Sequence, residues 1–532
     1  MQCKRMSVAA CGAVALLCIS GTAMAGGPFP GPQPIGPDIT LCQVYGLSSF
    51  GRVGTYPNGT SGLALATTSW NIGTVNAKWE QSPDSDHPPI GMDLFRLRSY
   101  IENGVSLQRF EQIGQSWLKH GFFALSNEQC GAHPWAGQNG VPAWTGQCQG
   151  TNGTSLGVGC TDTYSSGLNA QQSNLGPRFE VNPWTGMWHY DNSMFELGGP
   201  SNTGIRRRLQ VRDQDLIPPQ GQGYSLFAQA YYVAADDVDV MNSAGWKSVG
   251  TYQWTGSAWT FNLSAETVDE VSGFAYDAWG GARKTMVAQQ LPIVEHWTAT
   301  NQGIQASPDG RAVILSKVFN LNNGKYRYEF AVFNIDMDRQ IQSFKVPVSE
   351  QVNVTNVGFS IVLNHDEPNT YSFLTGPNQR FIGPPVNNAP WTNTRTSNAV
   401  EWATTPHPAG NPPYGSGTAA NPIRWGTMAN FWFDADQPPT DGLVDLGMYK
   451  PGPVNSVSGV TNVPTPVQAP VCCLGDADAS GSVSFSDVTS VLANLGNTYA
   501  PGNNEPGDSD CSGAVNFTDI TEVLANLGLS CN

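Results

Sequence analysis

Two stretches near the C-terminus space oxygen-bearing side chains as a divalent cation requires. Asp476, Asp478, Ser480, Ser484 and Asp487 occupy positions 1, 3, 5, 9 and 12 of a loop whose sixth residue is Gly481. Asp508, Asp510, Ser512, Asn516 and Asp519 repeat that arrangement around Gly513, position by position. Carboxylate, amide and hydroxyl oxygens are hard donors, and a loop with this spacing and a glycine at its sharp turn suits calcium. The acids of each loop repel one another until a cation joins them. Two calcium ions are therefore expected to supply much of the folding free energy of this segment.

A short amphipathic helix is expected after each loop. Val488, Val491, Leu492 and Leu495 form one apolar stripe, and Ile520, Val523, Leu524 and Leu527 form a second at the same spacing. Gly496 and Gly528 follow as helix stops. Neither helix can bury its stripe alone, so the two are expected to pack on each other about a near two-fold axis.

Segment 475–528 resembles a type I dockerin, a duplicated loop–helix module. The resemblance rests on the two loops, the matching helices and the lack of a helix before either loop. It implies that the Ser482 and Ala514 carbonyls join the side chains named above as calcium ligands. It also implies docking to a cohesin-like or other receptor and association with secreted polysaccharide-degrading systems. Two departures are visible. Position 5 of each loop is Ser where the family often has Asp or Asn. Positions 17 and 18, where the family often carries a polar, basic pair, are Leu492-Ala493 and Leu524-Ala525. Cys472 and Cys473 precede the first loop and Cys531 follows the second helix. In a two-fold module the ends meet, so a clasp from 472 or 473 to 531 is expected, with the remaining cysteine near Cys511.

The N-terminus has the layout of a secretory leader. Lys4 and Arg5 precede an apolar run from Met6 to Ile19, and Ala23-Met24-Ala25 forms a cleavage site. The run is too short to span a membrane. Export, with the mature chain secreted or at the cell surface, is the expectation. Formal net charge is −16 and becomes more negative once Lys4 and Arg5 are removed. That disfavours nucleic acid and anionic membrane as partners. Cys3, Cys11 and Cys18 leave with the leader. Cys42, Cys130, Cys148 and Cys160 of the body join the four tail cysteines as disulfide candidates in an oxidising compartment.

The domain organisation expected is a leader at 1–25, a β-rich body at 26–450, a linker at 451–470 and the dockerin-like module at 471–532. The linker rests on a Pro-, Val-, Ser- and Thr-rich stretch. A sub-boundary near Pro218-Pro219-Gln220-Gly221 would split the body in two. The fold class is mainly β, a sandwich-like body of one or two domains, with a small all-α calcium-binding tail. The 59 glycines and 38 prolines suit many turns between short strands. Residues 311–333 are expected to form a hairpin turning at Asn323-Gly324, with Arg327 and Glu329 on its solvent face. Strands are also expected at 225–233, 357–363 and 423–433. Leu107, Phe110, Ile113, Trp117 and Leu118 lie on one helical stripe, which predicts a helix over 106–120.

The body lacks the His-Glu-x-x-His and phosphate-loop motifs. Its histidines show no ligand spacing. Glycoside hydrolysis needs two carboxyl groups across a cleft. Acids beside aromatics are the candidates: Glu180, Asp191, Glu196, Glu295, Asp366 and Glu367. Trp184, Trp188, Trp297, Trp425 and Trp432 are the candidate sugar platforms, weighed against the core. Phrases at 110–125, 156–169, 175–186 and 423–436 resemble uncharacterised secreted bacterial proteins with no attached activity. The resulting expectation is a secreted, dockerin-bearing protein associated with polysaccharide through binding or hydrolysis. The alternative is a non-enzymatic extracellular structural or adhesion protein that uses its tail for assembly.

Overall fold

Runs rich in Val, Phe, Tyr and Trp, broken by glycine and proline, form antiparallel strands through most of the chain. The structure is a computed structural model. It describes residues 35–530 apart from 82–83, 85, 122, 131–147, 185, 187, 189, 191–192, 194–203, 265–270, 289–291, 295–305, 309, 366–385, 409–418, 453, 467–472 and 500–504. Among the described residues no helix is long and apolar enough to cross a membrane.

The main strands of the first half are β1 (Ile39–Val53), β2 (Thr60–Asn71), β3 (Ile90–Glu102), β4 (Val105–Gln115), β5 (Leu209–Arg212), β6 (Gly223–Tyr232), β7 (Ala244–Trp254) and β8 (Trp259–Leu263). They lie in one sheet in the order β1-β2-β5-β4-β3-β6-β7-β8. The sheet curls until β1 packs over β6, β7 and β8. Leu41, Val44, Leu63, Leu65, Met92, Leu94, Leu226 and Trp259 fill the interior so enclosed. Because β5 and β6 belong to this one sheet, residues 218–221 form a loop within it and divide no domains.

The second half is a sandwich of two five-stranded sheets. Its strands are β9 (Arg283–Ala288), β10 (Arg311–Asn320), β11 (Tyr326–Asn334), β12 (Ile341–Pro347), β13 (Val354–Ile361), β14 (Thr392–Arg395), β15 (Ala399–Ala403), β16 (Thr427–Ala435), β17 (Pro439–Met448) and β18 (Ser456–Pro464). One sheet runs β9-β10-β11-β16-β13, the other β14-β15-β12-β17-β18. Phe330 and Phe431 from the first meet Phe344, Trp402 and Leu446 from the second. Strand β18 pairs along β17, so the stretch expected as a linker is an edge strand and the body runs to Pro464. Val457 and Val463 pack on the sandwich core and give it the apolar residues of a strand despite its prolines and serines, while Val460 faces solvent.

The two halves share a third core. Phe95, Phe110 and Phe227 of the curled sheet press against Val313, Leu315, Phe333 and Met428 of the sandwich. Polar side chains stitch this seam. Gln112 donates to the Gly426 carbonyl at 3.2 Å and accepts from the Met428 amide at 2.7 Å. Asn430 donates to the Phe110 carbonyl at 2.7 Å. Arg109 reaches both carboxylate oxygens of Glu329. Arg178, fully buried, pairs with the buried Asp93 at 2.8 Å and contacts the Tyr231 hydroxyl.

The seam explains two corrections. Residues 105–115 form strand β4 where a helix was expected, and Trp117 and Leu118 lie beyond it. A strand packed on both faces loses the alternation that marks a half-buried one, and its apolar spacing then mimics a helical stripe. The expected hairpin forms as β10 and β11. Its left-handed residues are Asn322 and Gly324, so the turn spans Leu321 to Lys325. Arg327 and Glu329, expected on a solvent face, are buried in the seam, Arg327 pairing with Asp434 and Glu102.

Burial pushes the Asp93 carboxyl up to about 6, and the Arg178 guanidinium opposes that. An Arg178→Leu substitution leaves Asp93 buried without its partner and should cost about 3–5 kcal/mol. Urea unfolding followed by tryptophan fluorescence measures this. An unchanged midpoint would show that the pair does not anchor the seam.

Candidate functional site

The tail forms two loop–helix units, with α1 at Phe485–Asn494 and α2 at Phe517–Ala525. Each helix starts in a capping box, Ser484 with Asp487 and Asn516 with Asp519. The same acids turn back into the loops. Asp487 accepts the Asp478 amide at 2.9 Å, and Asp519 accepts the Asp510 amide at 3.1 Å. Asp476 accepts the Ser480 and Gly481 amides, and Asp508 accepts those of Ser512 and Gly513. Gly481 and Gly513 take positive φ angles of 83° and 85°, the turn that position 6 requires.

This geometry draws the acids together. In Asp476, Asp478 and Asp487, one carboxylate oxygen from each lies within 4.8 Å of the other two, and Asp508, Asp510 and Asp519 repeat it. Ser480 Oγ lies 3.1 Å from the Ser482 carbonyl oxygen, and Ser512 Oγ lies 3.4 Å from that of Ala514. The hydroxyl of Ser484 and the amide of Asn516 are engaged as helix caps. An all-oxygen set of this kind, with three acids each, can hold a hard divalent cation.

The units interlock. Val483 of the first loop exchanges backbone hydrogen bonds with Gly528 and Leu529 beyond the second helix, and Val515 does so with Gly496 and Asn497 beyond the first. Val483, Val491, Val515 and Val523 form the small core. The expected stripes are only half buried. Leu492 and Leu524 are 54% and 51% exposed, and Phe485 and Phe517 are 75% and 70% exposed. Each short helix reaches the core with one edge, and the rest of its apolar face meets solvent.

Cys42 pairs with Cys130 and Cys148 with Cys160. Cys473 and Cys511 are each disulfide-bonded. Cys472 and Cys531, on which the expected clasp falls, lie outside the described residues.

Of the body carboxylates singled out by sequence, Glu180 is 3% exposed in a one-turn helix at Arg178–Glu180. Asp191, Glu196, Glu295, Asp366 and Glu367, with Trp297, lie outside the described residues. Trp188 and Trp425 are core residues. Trp432 has Arg109 3.5 Å above its ring and Gly358 packed against it, so its faces are covered. Arg311 lies over the half-buried Trp184 at 5.0 Å.

The body does hold a polar cavity of about 270 Å³ where the two halves meet. Arg96, Glu111, Gln210, Arg212, Asp215 and Asn388 contribute its hydrogen-bonding wall, and Ile113, Ile205, Ile361 and Leu363 its apolar one. Arg96 donates twice to Glu111 Oε2, at 3.0 and 2.8 Å, and once to the Asp215 carbonyl at 2.8 Å. Arg212 pairs with the Asp215 carboxylate at 2.7 Å. Glu111 Oε1 has no hydrogen-bond partner among the described residues. The two guanidinium groups balance the two carboxylates. Sequence reading missed this cavity because its walls come from chain segments far apart.

Sequence reading also missed a histidine pair. His87 Nε2 and His120 Nδ1 are hydrogen-bonded at 2.9 Å, buried, with Trp188 against both rings. Among the described residues, the acidic triads of the tail are the only groups of three such ligands close enough to share an ion.

No protein-family model and no curated protein matches the chain.

Burial holds both histidines neutral, lowering His87 to about 4 and His120 well below the ordinary imidazole value. Unfolded rings take up protons from about pH 6.5 downward. The pair's contribution to stability is therefore complete above that pH and is lost as pH falls toward 4. Urea midpoints between pH 7 and pH 4 should fall more steeply in the wild type than in a His87→Gln variant. Parallel curves would contradict the assignment.

Proposed function

We propose that this chain is an exported two-part protein. Its dockerin-like tail takes two calcium ions and attaches the molecule to a scaffold or surface. Its β body recognises polysaccharide at the cavity between the two halves. The observation that carries the reading is the duplicated acidic triad, each with three carboxylates in reach of one cation. The half-exposed apolar faces of α1 and α2 support attachment, since exposed Phe485, Leu492, Phe517 and Leu524 present paired patches that a docking partner would bury.

Recognition of a neutral, hydroxyl-rich ligand follows from the cavity's chemistry. Its charges cancel, which disfavours a strongly charged ligand. Its planar amide, carboxylate and guanidinium groups match sugar hydroxyls in donor and acceptor pattern. Binding is favoured over hydrolysis. Glu111 and Asp215 both contact Arg96, at 2.8 and 3.6 Å, so one guanidinium stands between the two carboxyl groups that the described residues give the cavity wall. An acid–carboxylate pair flanking a glycosidic bond has another arrangement.

The test is co-sedimentation of the full-length protein with a panel of insoluble cellulose, chitin, xylan and mannan, with reducing ends measured in parallel. At least one polysaccharide should retain the protein without release of reducing ends. An Arg212→Ala/Asn388→Ala variant, altered at exposed cavity positions, should lose about ten-fold in affinity, on the order of 1.4 kcal/mol. Absence of retention across the panel would overturn the recognition role, and sustained release of reducing ends would replace it with hydrolysis.

A further inference from the structure

One residue of the cavity wall is held from behind by a buried histidine. His365 lies just beyond β13 and is 5% exposed. Its Nε2 is 2.7 Å from the Gln115 carbonyl at the end of β4. Its Nδ1 is 3.0 Å from Nε2 of Gln210, which lies in β5 and lines the cavity.

The hydrogen of the imidazole decides what Gln210 shows to a ligand. A main-chain carbonyl can only accept, so His365 Nε2 carries the hydrogen bonded to Gln115. Burial lowers His365 from the ordinary imidazole value to about 3, and Arg424 and Arg178 act in the same direction. The ring is therefore neutral, Nδ1 accepts, and Gln210 Nε2 donates to it. The second hydrogen of that amide goes to the Ile205 carbonyl at 3.3 Å. Both donors of Gln210 are thus used inside the wall. Its Oε1 has no hydrogen-bond partner among the described residues and is what the amide offers the cavity. Glu111 Oε1 is a second open acceptor, since Arg96 takes only Oε2. Asn388 is fixed in the opposite sense. Its Oδ1 accepts the Asn364 amide at 2.7 Å and its Nδ2 donates to the Asn364 carbonyl at 3.1 Å, which leaves one N–H over among the described residues.

We propose that His365 is a positioning residue that locks the Gln210 amide, so that the cavity presents two acceptors and selects a neutral sugar with unsubstituted hydroxyls. This rests on the reading of the cavity as a glycan site. A hydroxyl donates to Gln210 Oε1 or Glu111 Oε1 and still accepts from Asn388. An acetyl ester or methyl ether has no hydrogen to give, and would set lone pairs against lone pairs. A site built to receive a hydroxyl hydrogen discriminates against a ligand that lacks it, because its own polar groups are then left unpaired. The class selected is a neutral glycan without O-acetyl groups.

The experiment is co-sedimentation of the full-length protein with cellulose, xylan and mannan, each unmodified and after chemical O-acetylation. The wild type should be retained on at least one unmodified polymer and bind its acetylated form about ten-fold less tightly. A His365→Leu variant should lose about ten-fold on the unmodified polymer, and Gln210→Met should match it. The double variant should lose no more than either, since both changes remove one coupled interaction. His365→Asn, whose Oδ1 still accepts from Gln210, should recover most of the binding. In wild-type protein carrying nitrogen-15 histidine, the resonances absent from His365→Asn should show the neutral Nε2–H tautomer. A neutral Nδ1–H ring, or a folded His365→Leu that binds as the wild type does, would overturn the positioning role and leave the cavity reading intact. Equal retention on unmodified and acetylated polymer would overturn the selection of free hydroxyls. Retention of the wild type on none of the polymers would overturn the cavity reading and this selection with it.

Discussion

A carboxylate taken out of water needs a positive partner, hydrogen-bond donors or a proton, and the chain has 26 lysines and arginines for 42 acids. How that shortage is met divides the molecule. Where bases are present they sit at the seam and the core. Arg178 serves Asp93, Arg109 serves Glu329, Arg327 serves Asp434, and Lys450 serves Asp338. Breaking such a pair leaves a charge in a medium that cannot solvate it, and Arg109 with Glu329 and Arg327 with Glu102 tie one half to the other. Where bases are absent, in the tail, acids gather in threes around oxygen-rich turns, an arrangement that a divalent cation would neutralise.

The seam is the structural consequence of the first solution. Two β units that could have been joined by a hinge are fused through a third apolar layer, in which Phe95 meets Phe333 with ring centres 6.0 Å apart. The polar stitches across it are made largely by side-chain amides reaching for backbone groups, as Gln112 and Asn430 do. Such bonds satisfy buried backbone polar groups and fix the register of the two sheets at once. The cavity opens where this layer ends. Its lining is polar because Arg96, paired with Glu111, reaches the margin from inside the sheet.

The two loop–helix units of the tail were legible in the sequence because their pattern is local: the acids of each triad lie within a dozen residues, and the apolar stripe of the helix follows in the next dozen. The hairpin at β10 and β11 was legible for the same reason, although Asn322 rather than Asn323 takes the left-handed turn. What could not be read depends on distant contacts. Strand β4 looked helical because both its faces are covered by segments remote in sequence. Arg327 and Glu329 looked exposed because their partners, Glu102, Asp434 and Arg109, come from three other strands. The cavity wall joins β3, β4, β5 and the end of β13, and no local pattern announces it. Strand β18 was hidden by a composition that resembles a linker, and only its pairing with β17 reveals it.

The central claim is that cations hold the acidic tail in its folded form while paired bases hold the body. Hydrogen exchange by mass spectrometry on the full-length protein, with disulfides intact, tests both parts together. Peptides covering Phe485–Asn494 and Phe517–Ala525 should be protected in calcium and exchange freely in excess chelator, while peptides from β10, β11 and β16 keep their protection in both. Equal protection of the two tail helices in calcium and in chelator would contradict the account.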